Sequence, residues 1–212
     1  MSADVHQEAS VTAEHADIFA LPEAEYAATA TPAVVEIDSG WFLTIDGHGH
    51  PDDAEFKSCL EALYAVAEAL RQDSAQAGRV YELAVLEAMW HLDPGHTDFD
   101  TAPRSAWNWT LCLRTPDIIG ENDLDRIVER LLSEGQPRVV SRVSLAGFEE
   151  GRCVQMLHTG PYDQEAATLA AMHAFMEQQG LTVVGRHHEI YLTDPASTAP
   201  AELKTIIRLP VI

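Results

Sequence analysis

Gly185-Arg186-His187-His188-Glu189-Ile190-Tyr191-Leu192-Thr193-Asp194-Pro195 is the stretch from which the architecture can be read. β-Branched and aromatic residues follow a glycine and end at Asp-Pro, a turn signal, so the segment reads as a strand. Side chains alternate across a strand. His187, Glu189 and Tyr191 therefore share one face, and His188, Ile190 and Leu192 share the other. The second face is mostly apolar and suits packing under a helix. The first sets a carboxylate between an imidazole and a phenol. In a poorly solvated place such a carboxylate is paired, protonated or used; in water it is ordinary. The strand alone favours the ordinary reading.

Upstream of this strand, residues 141–157 give strand material, in one run or two pieces around Gly147 and Gly151. The loop His158-Thr159-Gly160-Pro161-Tyr162 then leads into a helix over 162–179, stopped by Gly180. Downstream, residues 203–212 form a last strand. The N-terminal half repeats the order. Residues 33–46 are a strand, and Asp52 or Asp53 caps a helix running to Gln72. Its core face is Phe56, Leu60, Leu63, Tyr64, Ala67 and Leu70. Strands at 80–92 and 105–115 follow, joined by a long hairpin loop, and a helix at 121–134 separates the halves. The pseudo-repeats are thus 33–116 and 138–212, each strand, helix, strand, strand.

The expected fold class is α+β. The two repeats would pair edge to edge into one continuous antiparallel sheet, with helices on one face and a ligand cleft on the other. Residues 1–17 read as a disordered extension and 18–212 as a single domain, with a short helix before Pro32.

On the cleft face, Trp107 and Trp109 form an aromatic wall, unless they are simply core. Tyr191, Glu189, Tyr81, Tyr162 and Glu87 join them, and a bulge at Glu87-Ala88 would bring Trp90 to the same side. Aromatic walls with one or two carboxylates suit flat or cationic organic molecules.

A net charge of −21 argues against a nucleic-acid surface and against an anionic membrane. No apolar run reaches membrane length and no leader is visible, which points to the cytoplasm. The acidic first ~20 residues are too few for a helix-turn-helix. Cys59, Cys112 and Cys153 lack metal or redox spacing and read as buried free thiols. Gly47-His48-Gly49-His50-Pro51 fixes no third metal ligand by spacing and reads as a turn. No metal or other cofactor is expected. There is no Gly-x-Ser-x-Gly, phosphate-cradling glycine loop, His-Glu-x-x-His or Cys-x-x-Cys.

Several segments together resemble the GyrI-like small-molecule-binding family, in its stand-alone branch. They are His158-Thr159-Gly160-Pro161-Tyr162, Glu189 to Pro195, Leu203-Lys204-Thr205-Ile206-Ile207 and Pro210-Val211. In the first half they are Phe42 to Gly47, Leu86-Glu87-Ala88-Met89-Trp90 and Trp107-Asn108-Trp109. The resemblance covers residues 18–212. It implies binding of hydrophobic, planar or cationic compounds, with the cleft carboxylate at Glu189. Some stand-alone members are similar to hydrolases that open the cyclopropane of DNA-alkylating natural products, a detoxifying, resistance-type activity. Carried over, Glu189 would activate water and Tyr191 would hold the substrate. Trp107, Trp109, Glu87, Trp90, Tyr81, Tyr162, His158 and His187 would bind the ligand. Ala88 replaces a common glycine, His91 replaces a frequent tryptophan, and His187-His188 is an unusual lead-in. The alternatives are a sequestering or sensing module and an acidic inhibitor of a nucleic-acid enzyme. A monomer with a small-molecule ligand is expected.

Overall fold

The structure, a computed structural model, describes residues 20–96, 99 and 101–212. The extension expected over 1–17 lies outside the described residues. In chain order the elements are α1 (Glu23–Tyr26), β1 (Ala33–Ile37), β2 (Gly40–His48), α2 (Ala54–Gln76), β3 (Leu86–Leu92) and β4 (Trp107–Thr115). They continue with α3 (Glu121–Ser133), β5 (Ser144–Phe148), β6 (Gly151–Thr159), α4 (Ala166–Gln179), β7 (His187–Tyr191) and β8 (Lys204–Pro210). Every strand pair is antiparallel, in the order β1-β6-β8-β7-β3-β4-β2-β5. This is the α+β sheet that the repeats imply.

Two expected strands differ. Residues 33–46 are not one strand: β1 pairs with β6 of the second half, whereas β2 pairs with β4 and β5. The chain changes partners at Asp38-Ser39. The strand expected over 80–92 begins only at Leu86, which pairs with Leu113. Extending it upstream would run the ladder past Thr115 into Pro116, which has no N–H to give.

The exchange of strands between halves bends the sheet. In a flat sheet β1 and β2 would stand about 29 Å apart, six strand spacings. The two residues that join them bridge only about 10 Å. The short β5–β6 connection imposes the same demand, and it sets Glu150 against His188 of β7 and Arg208 of β8. The sheet therefore curls toward the face bearing His188 and Arg208. Residues 22–31 strap this face. Gln155 donates to the Ala24 and Ala27 carbonyls, and Tyr26 donates to Glu87 at 2.6 Å.

The opposite face carries α2 and α4. Leu63, Val66 and Leu70 of α2 pack with Leu43, Ile45, Leu111 and Leu113. Met172 and Met176 of α4 pack with Val154, Met156, Ile207 and Leu209. Gly180, at φ +68°, ends α4 in the left-handed conformation that glycine permits. Asp53 holds the N-cap position of α2, but its carboxylate accepts the His50 N–H, at 2.8 Å, rather than a helix N–H. Cys59, Cys112 and Cys153 are free and buried. Among the described residues, no helix is long and apolar enough to cross a membrane.

Gly47 marks a place where α2 and the sheet close tightly. A Cβ there would stand 2.1 Å from the Trp109 ring, which is itself 1% exposed. Gly47→Ala is expected to cost about 1–3 kcal/mol by overpacking. Thermal unfolding would read this as a melting point several degrees lower, and an unchanged midpoint would mean the ring can yield.

Candidate functional site

α2 lies over β2 and β4, and α4 lies over β6. The two central strands, β3 and β7, lie between these two helices, with Phe56 of α2 stacked on Trp90 of β3 at one side. A cavity of about 1360 Å³ opens there. The cleft is thus on the helix-bearing face, between the helices, and not on the opposite face as the repeats suggested. The reason is the strap: residues 22–31 and a buried ionic cluster fill the concave face.

β7 supplies the polar floor. Tyr191 donates to Glu189 Oε2 at 2.7 Å, and His187 Nε2 lies 3.0 Å from Glu189 Oε1. Burial, and then the Glu189 charge, push the Tyr191 hydroxyl well above its ordinary value, so it stays a donor. The walls are aromatic. Trp90 and Trp107 meet edge to face at 6.1 Å, and Phe99 meets Trp107 edge to face at 5.3 Å. Tyr162 stands edge-on to Tyr191 at 5.7 Å. Phe56, Leu60 and Tyr64 line the α2 side, and Leu169 and His173 line the α4 side. The buried indole N–H of Trp107 has no hydrogen-bond partner. Asp52, Asp163, Glu165, Glu189 and Asp194 line the cavity against one arginine, Arg186. The lining is apolar with an acidic bias, which suits neutral or cationic organic molecules.

Of the residues singled out from sequence, Glu189, Tyr191, Trp107, Trp90, Tyr162 and His187 come together in this cavity. Four do not. Glu87 points to the concave face, bonded to Tyr26 and paired with His188 at 3.0 Å. No bulge turns it, since β3 pairs in unbroken register with both neighbours. Trp109 is sealed under Phe56 and Gly47, and Tyr81 is buried in the same core. His158 is buried, with one ring nitrogen 2.9 Å from the Thr168 hydroxyl and the other 3.2 Å from the Pro161 carbonyl. It fastens the loop to α4 and so aims Tyr162 and Glu165.

Glu165 was not foreseen. One turn into a helix start, a glutamate looks like an ordinary dipole partner. Here it is 9% exposed, and its Oε1 has no hydrogen-bond partner. Burial first, and the Glu189 charge second, raise its pKa to about 9. Ligand atoms of Glu165, His187 and Glu189 lie within 4.8 Å of one another, a set that could also offer three donors to a divalent ion.

This carboxyl has a cost in stability. A folded-state pKa raised from 4.5 leaves stability intact below pH 4.5 and erodes it as pH rises to about 9. Glu165→Gln is expected to stabilise the fold at pH 7 by on the order of 2–3 kcal/mol and to flatten that decline. Urea unfolding at pH 5, 7 and 8.5 would check it; parallel pH profiles for the two proteins would refute it.

Residues 31–212 match the family model of the GyrI-like small molecule binding domain. The chain belongs to this family. An uncharacterized conserved protein from Listeria innocua is 38% identical to this GyrI-like protein, with a TM-score of 0.83. The match covers 89% of this chain and 95% of that one. A hydrolase from Listeria innocua is 36% identical over the same shares, with a TM-score of 0.77. The C-terminal domain of EcmrR shares the fold at 14% identity and a TM-score of 0.58, covering 86% of this chain and 97% of its own. No curated protein matches.

Proposed function

We propose that this GyrI-like protein binds planar, hydrophobic or cationic small molecules between α2 and α4. Within that cavity it hydrolyses strained-ring, cyclopropane-containing alkylating compounds. The observation that carries the reading is Glu189, set between Tyr191 and His187 on the floor of an aromatic cavity. The 36% identity to a hydrolase supports the enzymatic part.

In the proposed reaction the planar compound stacks on one of the two indoles, Trp90 or Trp107, and meets the other edge-on, since the two rings are nearly perpendicular. A water oxygen bonds to the ring carbon, and Glu189 takes the proton that water loses. The carbon–carbon bond of the ring breaks, its electron pair passes into the conjugated system, and a proton from solvent completes the product. A strained ring brings much of the barrier with it, so a base, a donor and positioning suffice. Opening the ring removes the electrophile before it meets DNA, which makes the activity one of detoxification.

The test is tryptophan fluorescence titrated with planar, cationic and cyclopropane-containing compounds, with product followed by mass spectrometry. Quenching with turnover supports the proposal. Quenching without product from any compound reduces it to a binding or sensing module. No response from the whole panel overturns the cavity as a ligand site.

A further inference from the structure

Glu165 takes no part in the reaction above, yet its carboxyl closes on the same floor. It holds the N-cap position of α4, whereas His187 and Glu189 stand on β7, so spacing along the chain hides the set. One ligand atom from each of the three lies within 4.8 Å of the others, and all three residues line the cavity. His187 Nε2 and Glu189 Oε1 are already 3.0 Å apart. Two donors on one tetrahedral zinc ion, each at about 2.0–2.2 Å from it, stand about 3.3–3.6 Å from each other. Side-chain rotation therefore suffices to bring the third donor onto the same ion. Glu189 is also held as a ligand needs to be, since Tyr191 donates to its other oxygen at 2.7 Å and orients the carboxylate.

A separate observation points to a cation. Glu165 is nine-tenths buried, and its Oε1 has no hydrogen-bond partner. A buried carboxyl is costly unless something satisfies it. The arginine on the cavity wall does not, because Arg186 donates instead to the Thr110 hydroxyl at 3.0 Å. Among the described residues, no lysine or arginine side chain pairs with Glu165 or Glu189. The Glu165 oxygen is out of contact with solvent, so a ligand in the open cavity cannot use it. An ion lodged among three side chains can.

We propose that Glu165, His187 and Glu189 bind a divalent transition-metal ion of the zinc class, with a fourth position open to the cavity. The imidazole favours such an ion over magnesium or calcium, and the two carboxylates balance its charge in a poorly solvated place. Three protein donors and one open position is the arrangement of zinc sites that hold an exchangeable water or ligand. The assignment stands on the three side chains and not on the ring-opening reaction. An ion takes the Glu189 oxygen that otherwise accepts a proton from water, so the loaded and the metal-free protein differ in chemistry at one floor.

The test uses the metal alone. Chelator-treated protein is titrated with zinc chloride by calorimetry, and with cobalt(II), whose visible absorption is far stronger at a four-coordinate site than at a six-coordinate one. The wild type should take up one equivalent of zinc per chain and show the strong cobalt bands. Glu165→Gln and His187→Gln should each bind zinc at least about 100-fold more weakly, since losing an outer partner alone costs about 10–100-fold. Tyr191→Phe removes only such a partner and should fall within that range. His48 and His50, set beside Glu55 and Asp52 in the turn before α2, offer an adventitious ion another seat. Changing both to alanine should leave the tight site intact. Glu165→Gln is expected to fold at least as stably as the metal-free wild type, so lost binding there is not lost structure. The site is overturned by the absence of one-to-one uptake, by uptake that Glu165→Gln and His187→Gln leave unchanged, or by uptake that the His48 and His50 changes abolish. None of these outcomes bears on planar ligands, which the fluorescence panel tests separately.

Discussion

Glu189→Gln is expected to leave planar ligands bound and to reduce their ring-opening by about 10²–10⁴-fold, the usual contribution of a positioned general base. The amide matches the carboxylate in shape, so Tyr191 can still donate to its oxygen and the aromatic walls are untouched. What is lost is the capacity to take a proton from water. Single-turnover experiments followed by mass spectrometry, with the same variant titrated by fluorescence, separate binding from chemistry. Unaltered turnover in Glu189→Gln would remove Glu189 as the base. Tyr191→Phe deletes the 2.7 Å donor without removing the carboxylate and should have the smaller effect of the two.

Arg208→Met is expected to destabilise the protein by about 3–5 kcal/mol, the range for breaking a buried ion pair from one side. Arg208 is 2% exposed in the middle of β8. Its guanidinium donates to Glu150 at 3.0 Å, to Gln155 at 3.2 Å and to the Glu25 carbonyl in the strap. Glu150 also meets His188 at 2.9 Å, and His188 meets Glu87 at 3.0 Å. Burial pushes the Glu150 carboxyl up, but His188 and Arg208 outweigh it and hold the group below its usual value. Methionine would fill much of the space and leave Glu150 short of a counter-charge in a dry place.

The same cluster sets a pH window. Burial by itself would depress His188, but Glu150 and Glu87 raise it to about 9. Its contribution is complete below about 6.5 and is lost as pH rises through about 9. Glu150 contributes above its unfolded value and loses that contribution as pH falls through its lowered folded one. Urea unfolding across pH would show the Arg208→Met deficit shrinking as pH falls and Glu150 is protonated, and persisting on the alkaline side, where Arg208 is the remaining cation beside Glu150. A deficit under 1 kcal/mol at pH 7 would mean that water or a neighbour replaces the guanidinium. Hydrogen exchange should also report faster opening of residues 22–31, which Arg208 and Gln155 hold to the sheet.

Strand alternation and helical spacing were sufficient for much of this. The period-two pattern in His187-His188-Glu189-Ile190-Tyr191 places His187, Glu189 and Tyr191 together, as the structure has them. The apolar stripe of α2, the α3 helix between the halves and the Gly180 stop were equally legible, because each depends on local geometry alone. Alternation, however, defines two faces without saying what covers either. That depends on strand partners far away in sequence. β1 leaves its own half to pair with β6, the sheet curls, and residues 22–31 cover the concave face. Glu87 and His188 are thereby buried against each other, while Trp90, one face away from Glu87 on the same strand, meets the cavity. Trp107 and Trp109 are alike in sequence, but only Trp109 lies under Phe56 against Gly47. Glu165 was hidden for the same reason. Its importance comes from a close approach to Glu189 across the gap between α4 and β7, and only the tertiary fold brings those two carboxyls into one low-dielectric space.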